Sequence, residues 1–144
     1  MITTTMQAQA QQTIAENVLK NTLLLIEALK DNYRQYAIRG HQRSAERFDA
    51  TPGYHQQKID ELKSGKCDID YQVETGKKYH KVIFVDGGGH RSVHCFIDKQ
   101  NGGVFKSASW RSPAKGERYN LLLIKDREWL FENADWSAGY LYKR

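Results

Sequence analysis

Two cysteines, two prolines and two methionines in 144 residues remove several architectures at once. Cys67 and Cys95 are too few for a disulfide framework, so packing must hold the core. The longest apolar stretch, Leu23-Leu24-Leu25-Ile26, is interrupted by Glu27 and Lys30, far short of a membrane span. The first residues lack a basic segment leading into an apolar one, so no secretory leader is expected. A reducing interior with both thiols free is the simplest reading. Spacings that carry strong chemical signals are also missing: there is no Cys-x-x-Cys and no His-Glu-x-x-His. Gly87-Gly88-Gly89 follows a strand pattern, but neither a Lys-Ser/Thr pair nor a helix comes after it, so it reads as a β-turn rather than a phosphate cradle.

What is present is an ordinary globular composition, 40% hydrophobic and 27% charged, on a length that suits about one domain. Eight Tyr, five Phe and three Trp must pack in a core or on a contact surface. The net charge of +5 is concentrated. Between positions 76 and 119, nine basic residues meet three acidic ones, a net of +6, which leaves −1 for the rest. A basic central segment is expected if one face meets an anionic partner. Lysines that merely guard sheet edges would produce the same pattern.

Residues 1–12 are Thr- and Gln-rich without periodicity and read as a polar arm. Thr13 and Glu16 form a capping box, and Ile14, Val18, Leu25, Leu29, Tyr33 and Tyr36 recur at helical spacing until Gly40, which reads as the stop. Residues 41–53 read as a loop, and a short helix with Ile59 and Leu62 inward follows, closed by Gly65. Period two then takes over. Strands are expected at 67–73, 78–85, 91–97 and 104–110, with Asn101-Gly102 as a hairpin turn. In the third, Val93, Cys95 and Ile97 share one face, while Ser92, His94 and Phe96 share the other. A helix from Asp126 to about position 134, with Trp129 and Leu130 inward, and a closing strand at 139–142 complete an α+β fold. The expected domain, residues 13–144, therefore has a helical part at 13–65 and a β-rich part at 66–144, built on a four-stranded antiparallel meander.

The run Arg91-Ser-Val-His-Cys-Phe-Ile-Asp98, the hairpin, Val104-Phe-Lys-Ser-Ala-Ser-Trp110, Pro113-Ala-Lys-Gly116 and Arg118-Tyr-Asn-Leu121 form a pattern. With Ala134-Asp-Trp136 and Gly139-Tyr-Leu-Tyr142, it resembles a family of short proteins encoded by bacteriophages, marine ones especially. The resemblance spans about position 76 to the C-terminus and leaves the N-terminal helices outside. It implies a viral origin, with the host cytoplasm or the virion as the location. It carries over no reaction, cofactor or catalytic residue.

Four chemistries were weighed on the residues. For a metal, His90 and His94 share a strand face but lie about 13 Å apart along it, and Cys95 points away; His80 and Cys67 sit on neighbouring strands. Asp70, Asp86 and Asp98 at strand ends, with Lys106 and His94 near in sequence, could serve acid–base or magnesium chemistry, but such carboxylates usually cap turns. Cys95 has the parity of a core residue rather than a nucleophile. Neither catalysis nor a cofactor is therefore expected.

Nucleic-acid binding fits best. Bases interleaved with aromatics on a sheet suit stacked, unpaired nucleotides with neutralised phosphates. The expected contacts are Lys77, Lys78, Tyr79, Lys81, Arg91, His94, Phe96, Lys106, Trp110, Arg111, Lys115 and Arg118. The alternative is a virion or assembly component that uses the same face and the N-terminal arm on protein neighbours, an oligomer included. No membrane partner is expected. The first reading requires Trp110, Tyr79 or Phe96 exposed beside bases, and the second requires those rings buried against another chain.

Overall fold

A computed structural model describes residues 2–48 and 50–142, the side chains of 2–4 excepted. Met1 of the expected arm and the last two residues of the expected domain lie outside the described residues. The first helix, α1 (Ile2–Arg47), is longer at both ends than its periodicity predicts. Residues 2–12 are its opening turns rather than a tail, since Ala, Gln and Met favour helix even without an apolar stripe. Thr13 therefore caps nothing; its hydroxyl donates to the Gln9 carbonyl at 3.0 Å inside the helix. Gly40 does not stop the helix either. Its φ is not positive, and the chain stays helical because Ala37 and Ile38 bury against Ile59 and Leu62 of α2 (Tyr54–Lys63). Such packing outweighs the cost of about 1 kcal/mol of one helical glycine.

The sheet has five antiparallel strands in sequence order: β1 (Asp70–Thr75), β2 (Tyr79–Val85), β3 (Arg91–Asp98), β4 (Gly103–Lys106) and β5 (Tyr119–Asn120). The meander is as expected, with one more strand. β5 is only two residues long and gives no alternation to read. Partners Val73↔Val82, Val82↔Cys95, Ile97↔Val104 and Val104↔Tyr119 form the inner row. That row packs on Val18, Leu25, Ile26 and Leu29 of α1, with Leu130 of α3 (Ile124–Asn133) closing the core. Thr22, buried among these leucines, is satisfied by donating to the Val18 carbonyl at 2.8 Å. The C-terminal 139–142 segment is a 3₁₀ turn rather than a strand, and it drives Tyr140 and Leu141 into the core.

Two local features decide which side chains reach the other face of the sheet. The β2–β3 register shifts between Val82 and Ile83, which pair with Cys95 and Val93, leaving His94 as an extra bulged residue. The β3–β4 turn relies on Gly102 at φ 79°, where an added Cβ would meet the Leu122 side chain at 2.9 Å.

Candidate nucleic-acid interface

The outer face, turned away from α1, is built from alternate residues of three strands. Phe96 pairs with Lys81 across β2–β3 and with Phe105 across β3–β4, so all three share this face. Tyr79 meets both rings edge-on, 5.7 Å from Phe96 and 5.9 Å from Phe105. At the far end Arg91 is oriented by carboxylate and amide partners on β1: Nη2 donates to Glu74 at 2.6 Å and Nε to Gln72 at 3.1 Å.

β4 ends at Lys106, short of the expected Trp110, and the chain then makes a small flap over this face. Its arms are joined by the Ser107↔Pro113 bridge, and the Ala114 N–H donates to the Lys106 carbonyl at 2.7 Å. At the tip, Ser109 Oγ accepts the backbone N–H groups of Arg111 and Ser112, both at 3.2 Å. Trp110 therefore sits at the apex of a tight turn, 41% exposed. Lys81 Nζ lies 4.5 Å and Arg91 Cζ 5.3 Å from its ring centroid, both within cation–π range. Beside the flap, Lys77, Lys78, Lys81 and Arg111 line a groove of about 330 Å³ with Tyr79, and Glu74 supplies its one carboxylate.

Eight of the twelve expected contacts thus gather on one face: Lys77, Lys78, Tyr79, Lys81, Arg91, Phe96, Trp110 and Arg111. Phe96 is buried and Tyr79 half-buried, so Trp110 is the ring of this face most open to a stacking partner. The other four lie elsewhere. His94 is carried inward by the bulge, where its Nε2 lies 2.7 Å from the Tyr140 hydroxyl; burial lowers its pKa to about 4 and keeps it neutral. Lys106 pairs with Cys95 and so takes the core side of β4, where its Nζ lies 4.6 Å from the Tyr142 ring centroid. Arg118 serves as a clamp, donating to the carbonyls of Leu141, Lys115 and Gly116. Lys115 is exposed beside it, in the loop beyond the flap. Gln72 and Glu74 had been passed over; the signal was their alternation on β1 opposite basic neighbours.

The carboxylates weighed for chemistry are occupied by turns and an ion pair. Asp86 Oδ1 accepts the His90 and Gly88 N–H groups, both at 2.9 Å, which hold its carboxyl below the usual range. Asp98 Oδ1 caps the hairpin by accepting from Gln100 at 2.9 Å and Asn101 at 3.1 Å. Asp70 accepts the Tyr71 N–H and pairs with Lys30 at 3.1 Å. Cys95 is enclosed, and burial pushes its thiol pKa up, away from nucleophilic use. His90 is exposed at the β2–β3 turn beside Asp86, well apart in role from the buried His94. Among the described residues, no group of three or more His, Cys, Asp and Glu side chains is placed to hold a metal ion. One imidazole pair does meet between α1 and α2, with His41 Nδ1 2.9 Å from His55 Nδ1. No helix among the described residues is long and apolar enough to cross a membrane.

No curated protein and no solved structure matches the chain. A family of unknown function, DUF7717, matches residues 2–143, from the first turn of α1 through the flap and the final 3₁₀ turn, and the chain belongs to that family.

Proposed function

We propose that the chain is a non-enzymatic protein that binds single-stranded nucleic acid across the outer face of its sheet. The observation that carries this reading is Trp110: a 41% exposed indole at the tip of a flap, with Lys81 and Arg91 against the ring. A single unpaired base stacks on such a ring, and the Lys77, Lys78 and Arg111 side chains beside it suit the flanking phosphates. A duplex, whose bases are already stacked, makes no use of the indole. The likeness of the β segment to phage-encoded proteins supports a viral origin. A virion or assembly role is a second reading, favoured by the exposed leucines along α1.

The test is an anisotropy titration of labelled single-stranded DNA and RNA at low salt. Binding is expected, with affinity falling steeply as salt is added. Trp110→Ala should weaken it by about 1–3 kcal/mol, the worth of one stacked base. Lys81→Ala with Arg111→Ala should weaken it for every sequence, while Lys106→Ala, on the opposite face, should not. No binding at low salt would remove this reading and leave the assembly role.

A further inference from the structure

One flank of α1 lacks a neighbour. α2 covers this helix at Ala37 and Ile38, but toward the N-terminus Leu19, Leu23 and Leu24 remain 39%, 49% and 44% exposed. With Val73 of β1, an edge strand, they wall an open groove of about 770 Å³. Leucines this exposed, side by side, mark a contact surface more often than a solvated one.

The charges on the rim say what covers it. Along α1 they run Glu16, Lys20, Glu27, Lys30: acid, base, acid, base. A partner of one charge sign would meet repulsion at every second position. A reversed copy of the same helix presents the opposite sign at each place. With a two-fold axis beside Leu23, Glu16 faces Lys30 of the second copy and Lys20 faces Glu27 of the second copy. The parallel arrangement instead sets Glu16 on Glu16 and Lys20 on Lys20, and like charges in contact are unfavourable. Lys30 is already held at the groove wall by Asp70, at 3.1 Å.

We propose that this groove is the interface of an antiparallel, two-fold dimer of the chain, α1 against α1 across residues 16–30. The overlap is about 22 Å of helix. Burial of the leucines drives association, and the ion pairs select direction and register. The interface lies on α1 and β1, so it is independent of the outer-face reading and is tested without nucleic acid.

Sedimentation equilibrium on the whole chain over a range of micromolar concentrations should show a monomer–dimer equilibrium. Leu23→Glu should abolish the dimer while circular dichroism stays unchanged. Lys20→Glu and Glu27→Lys should each weaken the dimer several-fold, and the two combined in one chain should restore it, because the exchanged pair faces itself again. A monomer at every concentration, or a dimer that Leu23→Glu leaves intact, would overturn the proposal. Failure of the double variant to restore association would overturn the antiparallel register.

Discussion

His94 shows how a single residue can leave its expected face. Strand alternation sets it beside Phe96, but the extra residue in β3 turns it inward to Tyr71 and Tyr140. Nothing local in Arg91-Ser-Val-His-Cys announces a bulge, because the misfit exists only against β2. The cost is a titratable ring held neutral in the core. Its pKa of about 4 lies below the unfolded value of 6.5, so the stability it confers is complete above about pH 6.5 and lost as pH falls toward 4. The loss is on the order of 3 kcal/mol. Burial lowers His41 and His80 in the same direction, which adds to the slope. Urea unfolding between pH 7 and pH 4 should show the decline, and His94→Gln should flatten it to the residue from the other two. Equal slopes in both proteins would refute this account. Where alternation was undisturbed, as for Lys81 and Phe96, the face assignment was legible.

At the scale of elements, α1 and the flap departed from expectation for opposite reasons. The apolar stripe from Val18 to Leu29 was plain in the pattern, and so was the helix it implies. Its ends were not, because residues 2–12 and 41–47 are helical through propensity and α2 packing rather than periodicity. Gly40 carries a testable consequence. Nothing lies within 4 Å of where its Cβ would stand, and its backbone is helical, so Gly40→Ala should stabilise the protein by about 0.5–1 kcal/mol in a denaturant melt. A destabilised variant would show that the glycine is needed for close approach. The flap was invisible because its residues alternate much as a strand does; only the Ser109 turn, read from its hydrogen bonds, reveals that the chain doubles back.

At the scale of the molecule, the basic span proved a property of sequence more than of surface. Lys106 and Arg118 contribute to its +6 but face away from Trp110. The order in which the pieces close matters as much as their placement. Each strand pairs with its neighbour in sequence, so the sheet zips up through short hairpins. α1 is joined to the far end of the chain across about a hundred residues, through Asn21 to the Leu121 carbonyl and Asn32 to the Trp136 N–H. Closing so long a loop is the costly entropic step, and it follows the hairpins. The Trp136 segment, its ring 5.4 Å from Tyr33 and 5.0 Å from Tyr36, acts as a latch that engages last and opens first. In stopped-flow experiments Trp136→Ala should therefore accelerate unfolding with little change in the folding rate. An equal slowing of folding would mean the latch belongs to the nucleus. The resistance of this protein to transient opening is accordingly a matter of kinetics, governed by one aromatic clasp at the end of its first helix.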